Sequence, residues 1–204
     1  MNKGLLLVVS APSAGGKGTI LKELFGRDGN LRMSVSATTR QPREGEEHGK
    51  HYYFMDRDEF MGLVNSGSML EHAEYVGNLY GTPKGPVDQW MEEGHDVVLE
   101  IEVQGGAQIK KIAPDCVTVF IVPPSMEVLE KRLRGRGTET EETILKRLET
   151  ARRELAQAGN YDYVVVNDRL EDAVDDIQAI IRSEKLRYIR RPDFIEGLLT
   201  AGKA

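Results

Sequence analysis

The chain opens with a short apolar run that passes into a glycine-rich turn and then into a helical pattern. Residues 5–9 are continuously apolar, which is typical of a strand buried on both faces of a parallel sheet. Apolar residues recur at helical spacing across residues 19–25. A strand, a glycine-rich loop and a helix in this order predict the start of an α/β domain.

Three later segments also have the composition of buried strands: residues 96–101, 117–122 and 163–166. Each is separated from the next by a segment with helical spacing, and this alternation predicts a parallel sheet flanked by helices. From about Asp172 the spacing predicts a long amphipathic helix followed by a polar tail.

Two segments interrupt this alternation. Residues 34–84 are rich in Ser, Thr, Gly, Tyr and charge, which predicts an inserted β-rich unit. Residues 125–158 predict two polar helices, of which the first is capped by Ser125 and begins near Met126. Because these helices show little apolar surface in sequence, we expect them to form a mobile lid. The predicted core comprises the remaining ranges, 1–33, 85–124 and 159–204.

Charge and composition argue against several classes of protein. The 27 Lys and Arg against 33 Asp and Glu give a net charge of −6, which disfavours a general binder of nucleic acid or membrane surfaces. The single cysteine excludes an internal disulfide and a cysteine-based metal cluster. The apolar run at residues 5–9 is too short for a signal peptide. We therefore expect a cytoplasmic protein without nucleic-acid or membrane partners, and the residues leave a homo-oligomer open.

The turn after the first predicted strand carries a phosphate-binding pattern. In G-x-x-x-x-G-K-[ST], Gly16 and Lys17 match, whereas Ala11 replaces the first glycine and Gly18 follows the lysine. Backbone N–H groups of such a loop bind phosphate oxygens, and the lysine adds positive charge. A glycine-rich helix start with a solvated lysine is the alternative interpretation. The ATP-binding candidates are Ala11, Pro12, Ser13, Ala14, Gly15, Gly16, Lys17, Gly18 and Thr19.

Two residues of this loop raise separate questions. Thr19 is the candidate for a contact with Mg²⁺, because Gly18 has no hydroxyl group; the ion usually relies on substrate phosphates and water rather than on a protein cage. Ala14 places a Cβ in a tight loop. A positive φ there costs roughly 1 kcal/mol, and a negative φ costs nothing.

A second cluster of basic and hydroxyl residues lies in the predicted insertion. Arg40 and Arg43 are three residues apart and form a candidate phosphate clamp, because an arginine pairs two phosphate oxygens at once. Tyr hydroxyl groups further along can add donors to the same phosphate. Each of these residues alone is also typical of an ordinary surface.

Six motifs together resemble the guanylate kinase family. They are Ser10-Ala-Pro-Ser-x-x-Gly-Lys17, Ser34-Val-Ser-x-Thr-Thr-Arg-x-Pro-Arg43, Gly49-Lys-x-Tyr-x-Phe54, Glu71-His-Ala73, Gly77-Asn-x-Tyr-Gly-Thr82 and Arg132-Leu-x-Gly-Arg-Gly137. The resemblance covers nearly the whole chain, residues 4–185. It implies a P-loop NTPase-type core, a GMP-binding insertion at 34–84 and a helical lid at 125–158. It also implies transfer of phosphate from ATP to GMP, and to dGMP, with Mg²⁺ as the cofactor.

The resemblance assigns the GMP site residue by residue. The residues implied to hold the GMP phosphate are Ser36, Arg40, Arg43, Tyr52 and Tyr80. Those implied to read guanine are Glu71 and Thr82. A carboxylate can accept from both N1–H and the 2-amino group of guanine, whereas adenine presents a lone pair at N1, so Glu71 discriminates between the two bases.

The resemblance also places basic residues around the ATP phosphates. Those implied to be catalytic are Lys17, Arg132, Arg136 and Arg147. Arg136 is in addition a candidate for stacking on adenine, and Asn167 for contacting its edge. Arg134 is instead expected to form a salt bridge within its helix. No catalytic base is assigned, since the GMP phosphate is itself the nucleophile.

Glu100 and Glu102 follow the second buried strand, at the sheet edge where α/β proteins bind ligands. The family typically has Asp at both positions. Glu100 is expected to reach the GMP or metal side, and Glu102 is open between a functional and a structural role.

Two other functions compete with this interpretation. The first is a guanylate-kinase-like domain that binds a phosphopeptide without catalysis; Lys17, the lid arginines and the chain length disfavour it. The second is a kinase of another small phosphorylated acceptor, which Glu71 and Thr82 disfavour because such an acceptor offers no guanine.

Overall fold

The computed structural model describes residues 3–75, 77–135 and 140–200. The strands are β1 (Leu6–Ser10), β2 (Leu31–Met33), β3 (Ala37–Thr38), β4 (Tyr53–Phe54), β5 (Met69–Tyr75), β6 (Asn78–Pro83), β7 (Asp96–Glu100), β8 (Val117–Val122) and β9 (Tyr163–Val166). The helices are α1 (Lys17–Arg27), α2 (Arg57–Asn65), α3 (Lys84–Glu92), α4 (Val103–Ile112), α5 (Met126–Arg134), α6 (Glu141–Leu155), α7 (Leu170–Lys185) and α8 (Pro192–Thr200).

Five strands form a parallel sheet in the order β2-β7-β1-β8-β9. The central strand β1 pairs with β7 at Leu7↔Val98 and with β8 at Leu7↔Val117. The predicted parallel sheet is confirmed, and β8 and β9 have the predicted bounds. The sequence did not indicate β2, because this strand has three residues and only Leu31 is buried.

The continuous apolar run of β1 is explained by burial on both of its faces. Leu7 and Val9 pack in a cluster with residues of α1 and α7, such as Ile20 and Ile177. The alternate residues of β1 pack in a second cluster with residues of α3 and α4. Both faces of the sheet are therefore covered by helices, and its carboxyl edge is the place where connecting loops can build a site.

The four-stranded second sheet lies within the predicted insertion and has the order β4-β3-β6-β5. The hairpin of β5 and β6 pairs Glu71 with Thr82. Phe60 of α2 is fully buried in a small cluster with Ala37 and Leu79 of this sheet. The second sheet thus has a hydrophobic cluster of its own.

The helices α5 and α6 pack against each other. Ser125 caps α5 as predicted, since its hydroxyl accepts a hydrogen bond from the Val128 N–H at 3.2 Å. The expectation that this pair has little apolar surface is wrong, because five of its side chains form a buried cluster. They recur every three or four residues along helices whose other positions are largely charged: Leu129, Leu133, Ile144, Leu148 and Ala151.

The C-terminal region contains the predicted amphipathic helix, α7, but not the predicted polar tail. The short helix α8 occupies that position and carries exposed Phe194, Leu198 and Leu199. The prediction relied on the charged residues around Arg190 and overlooked this apolar segment. In the part of the chain that the structure describes, no helix is both long and apolar enough to cross a membrane.

Two leucines of α6 provide a test of the cluster between α5 and α6. Leu148 is 5% exposed and Leu145 is 55% exposed. We expect Leu148→Ala to lower the free energy of unfolding by about 2–4 kcal/mol, because it leaves a cavity. The matched variant Leu145→Ala should change it by less than about 0.5 kcal/mol. Urea denaturation followed by circular dichroism measures both, and equal losses would contradict a buried cluster.

Candidate active site

The loop between β1 and α1 has the backbone geometry of a phosphate cradle. The Gly15 N–H donates to the Pro12 carbonyl at 2.8 Å, and Gly16 at the start of α1 has φ +91°. A Cβ at Gly16 would lie 2.1 Å from Asn167 Nδ2, so both the φ angle and the space require glycine. The first turn of α1 contains no acidic residue, which suits an anionic ligand.

The structure gives the φ angle of Ala14, which the sequence left undetermined. It has φ +63° and is the one non-glycine residue with positive φ in ranges 3–75, 77–135 and 140–200. This conformation costs roughly 1–2 kcal/mol in an L-residue. The Ala14 side chain packs against the cluster between α5 and α6, so this contact helps to hold the strained residue in place.

Asn167, which directly follows β9, joins the loop to the predicted lid. Its side-chain amide donates to the Gly15 carbonyl at 2.8 Å, and its own carbonyl accepts from Arg132 Nη2 at 2.8 Å. Asn167 is only 8% exposed. Its predicted contact with adenine stays a prediction, and its donor group is engaged with the loop.

Arg132 has a second nitrogen, Nη1, that is buried without a hydrogen-bond partner among the described residues. This atom lies 4.0 Å from where a Gly16 Cβ would be, so it faces the loop. A buried guanidinium nitrogen without a partner costs free energy of folding unless an anion accepts a hydrogen bond from it. Beside it is a cavity of about 340 Å³, lined by Ala14, Gly16, Thr19, Arg132, Asn167, Asp168 and Leu170.

Lys17 lies at the carboxyl edge of the main sheet. Its ammonium donates to the Ile101 carbonyl at 3.2 Å and lies 3.7 Å from Glu100 Oε1. β7 ends at Glu100, which pairs with Val9 of β1, the strand that leads into the loop before Lys17. Glu100 and Lys17 therefore lie at the same edge of the sheet. Glu102 occupies the N-cap position of α4 and makes no side-chain capping bond there.

The predicted phosphate clamp is partly assembled around Arg40. Its guanidinium lies 5.5 Å from the centre of the Tyr52 ring, and the rings of Tyr52 and Tyr80 are 6.2 Å apart. The Arg43 side chain is exposed, whereas its backbone N–H donates to Glu46 Oε2 at 2.7 Å. Ser36 immediately precedes β3, and its carbonyl accepts from the Tyr53 N–H at 2.8 Å.

Glu46 is a residue of this site that the sequence analysis missed. Arg40 Nη2 lies 2.9 and 3.0 Å from its two carboxylate oxygens. This hydrogen bonding lowers the pKa of Glu46 below its ordinary value. Glu46 orients Arg40 and the turn at Arg43 together. The signal in the sequence is an acidic residue six positions after Arg40 and three positions after Arg43.

Glu71 and Thr82 form a buried polar pair. The Thr82 hydroxyl donates to Glu71 Oε1 at 2.8 Å, and Glu71 is 9% exposed. The other carboxylate oxygen faces Gly105 of α4, where a Cβ would lie 3.6 Å away. Burial raises the pKa of Glu71. Within the described residues no lysine or arginine pairs with this carboxylate, so it is ready to accept hydrogen bonds from a ligand.

The lid residues have different positions. Arg147 Nη1 donates to Ser13 Oγ at 3.4 Å, which brings α6 to the loop. Arg134 pairs with Glu130 within α5, confirming the predicted salt bridge, and also with Glu141. Arg136 lies outside the described residues. The structure thus forms two groups of predicted residues, one around the loop and one around Arg40 and Glu71.

Comparisons with known proteins agree on one family. The family model described as guanylate kinase matches residues 3–184. The guanylate kinase of Desulfitobacterium hafniense is 51% identical over 197 residues, covering 97% of this chain and 98% of the relative. That of Clostridium tetani is 49% identical over 203 residues, covering 98% and 97%. The crystal structure of guanylate kinase from Anaplasma phagocytophilum matches with a TM-score of 0.71 and 37% identity, covering 93% and 90%.

The strain at Ala14 predicts a stabilising substitution. Ala14→Gly should raise the free energy of unfolding by roughly 0.5–1 kcal/mol, because glycine adopts positive φ without a steric penalty but loses more backbone entropy on folding. Ala11→Gly is the matched control and should be destabilising, since Ala11 is buried in the core. Denaturation curves measure both, and a loss of stability in Ala14→Gly would show that its Cβ contact outweighs the strain.

The buried carboxyl of Glu71 predicts a pH dependence of stability. Its pKa in the folded protein is above the ordinary value of 4.5. Between the two pKa values the folded state therefore binds more protons than the unfolded state, and the free energy of unfolding falls as pH rises through this window. Glu71→Gln should therefore be more stable than the parent at pH 7.5 and nearly equal at pH 4. Thermal unfolding at both pH values, with the exposed control Glu74→Gln, measures the difference. An equal effect at both pH values would contradict the raised pKa.

Proposed function

The chain belongs to the guanylate kinase family and is a phosphotransferase that phosphorylates GMP, and we propose that it does so with the two groups of side chains described above. The observation that carries this assignment of residues is the buried pair of Glu71 and Thr82, whose carboxylate has no cationic partner among the described residues. A guanine ring offers the hydrogen-bond donors that this carboxylate lacks.

The proposed base pocket selects guanine by its hydrogen-bonding pattern. Glu71 accepts from N1–H and from the 2-amino group, and the Thr82 hydroxyl exchanges its bond to Glu71 for one that it donates to O6. With adenine the carboxylate would face the N1 lone pair and would remain buried without donors. An unpaired buried polar group of this kind can lower kcat/KM by about 10⁴-fold.

The proposed clamp holds the GMP phosphate. Arg40 is oriented by Glu46 and by the ring of Tyr52, so little conformational entropy remains to be lost when it binds an anion. The other proposed residues of the clamp lie on β6 and in the segments beside β3 and β4: Ser36, Arg43, Tyr52 and Tyr80. Glu100, at the end of β7 and 3.7 Å from the Lys17 ammonium, is a further proposed contact of GMP.

The phosphate loop, residues 11–19, is the proposed ATP site. Its amide groups bind the β- and γ-phosphates, and Lys17 exchanges its contacts with Ile101 and Glu100 for phosphate oxygens. The unpaired Nη1 of Arg132 supplies a further donor. An oxygen of the GMP phosphate attacks the γ-phosphorus while the bond from that phosphorus to the β–γ bridging oxygen breaks. Arg132, Arg136 and Arg147 neutralise the charge on the moving group.

Mg²⁺ is the proposed cofactor of the ATP-dependent reaction. Thr19 lines the cavity beside the loop and Glu100 lies beside Lys17, and both supply the oxygen ligands that this ion prefers. When bound, the ion offsets the negative charge of the phosphates. We assign Thr19 as the protein contact, with phosphate oxygens and water completing the coordination.

We further propose that the chain works as three parts. These are a core (residues 1–33, 85–124 and 159–204), a GMP-binding insertion (34–84) and a lid (125–158). Hydrophobic clusters formed mainly within the insertion and within the lid support this division, since such a cluster lets each part move as a unit. Closure of both parts over the core would exclude water from the transferred phosphoryl group. We place the enzyme in the cytoplasm, where both nucleotides are present.

The competing functions have less support. A phosphopeptide-binding domain would not need Lys17 or the buried Nη1 of Arg132 at a phosphate loop. A kinase of another phosphorylated acceptor would not need the buried Glu71 with Thr82.

A nucleotide panel in a coupled ADP assay tests the proposed base pocket. The parent enzyme should turn over GMP far faster than AMP, CMP or UMP, and it should accept dGMP because no residue is assigned to the ribose 2′-hydroxyl. Glu71→Ala should raise the KM for GMP by about 100-fold or more and leave the KM for ATP unchanged.

Glu74→Ala, at an exposed position three residues further along β5 and with an equal change in charge, is the control and should leave both constants unchanged. Unaltered preference for GMP in Glu71→Ala would show that guanine is read elsewhere. Absence of turnover with ATP and GMP in the parent would contradict the activity itself.

A further inference from the structure

The predicted lid contacts the phosphate loop at two adjacent residues, Ser13 and Ala14. The Ala14 side chain packs against the cluster between α5 and α6. Arg147 reaches the Ser13 hydroxyl, and Glu154, two helical turns further along α6, accepts from the Ser13 backbone N–H at 3.4 Å. Positions 147 and 154 are seven residues apart, so both side chains project from the same face of α6.

The Glu154 carboxylate lies at a backbone N–H of the loop that is proposed to bind the phosphates of ATP. Backbone N–H groups of a phosphate loop bind phosphate oxygens, and here one of them donates to a carboxylate. The positive charge of Lys17 and the negative charge of Glu102 both act on this carboxylate. Burial also raises the pKa of Glu154, in line with a partly dry environment. Neither the resemblance nor the proposed reaction assigns this residue a role.

We propose that Glu154 is a positioning residue whose carboxylate accepts from the Ser13 amide and competes with the phosphates of ATP for this donor. The contact holds α6 against the loop and keeps the amide oriented before nucleotide arrives. ATP then competes with an internal anion for the same donor, so each binding event must first release the Glu154 contact. The inference rests on the proposed ATP site at residues 11–19.

The charge of Glu154 sets the sign of the expected effect. As a carboxylate it both competes for the Ser13 N–H and repels the triphosphate across a short distance. Glutamine has the same size and retains an oxygen acceptor but carries no charge. Glu154→Gln should therefore bind ATP more tightly than the parent enzyme, whereas a residue that assists nucleotide binding would give the opposite result.

The test measures ATP binding by isothermal titration calorimetry with full-length protein, MgATP and no GMP. We expect the Kd for ATP to fall by roughly threefold to tenfold in Glu154→Gln, as expected for one partly exposed charge interaction. Glu149→Gln is the matched control, because it removes the same charge from an exposed position on the same helix, and its Kd should not change. In steady-state assays the KM for ATP should fall in Glu154→Gln and the KM for GMP should stay constant.

Further variants separate the possible failures. Glu154→Ala removes the acceptor as well as the charge and should also tighten ATP binding. Unchanged or weaker ATP binding in Glu154→Gln, or an equal change in Glu149→Gln, would overturn the proposal. A loss of thermal stability without a change in Kd would assign Glu154 a purely structural role and would also overturn it. If Lys17→Ala left ATP binding intact, the ATP site itself would be misassigned, and the role of Glu154 would fail with it.

Discussion

One buried hydrogen bond, from the Asn167 side chain to the Gly15 carbonyl, determines where the phosphate loop lies. It joins the end of the last strand of the sheet to the turn after the first strand, and the Asn167 carbonyl extends the connection to Arg132. Loss of a buried hydrogen bond of this kind typically costs about 1–3 kcal/mol. This bond acts together with the packing of Ala14 and the contacts of Ser13 with α6 to fix the position of the loop.

The charged groups at Arg40 and at Glu71 have opposite surroundings. Around Arg40 the charge is neutralised, since Glu46 pairs with the guanidinium and orients it. At Glu71 the buried carboxyl pairs with no lysine or arginine of the described residues and accepts from Thr82. Burial of a carboxylate without such a partner costs free energy of folding. In the proposed site, a guanine that supplies donors offsets this cost.

The sequence predicted features that depend on local pattern. The buried strands were found because both faces of the sheet are covered, which makes their apolar runs continuous. The motifs predicted Arg40 and Glu71 as site residues, and the structure places them among the expected neighbours. The apolar stripe of α5 and α6 was missed because it is diluted by charged residues on the outer faces. Glu154 was missed because its partner Ser13 lies far away in sequence, and no local pattern indicates such a contact.

The strand order also has a consequence for how the chain reaches its native state. The central strand β1 is synthesised before its neighbours β7 and β8, which lie beyond the whole insertion. The N-terminal segment leaves the ribosome as an apolar strand with no partner, whereas the β5–β6 hairpin can close locally. Pairings that are distant in sequence form slowly and leave apolar edges exposed. On this argument we expect the five-stranded sheet to be completed after the β5–β6 hairpin has formed.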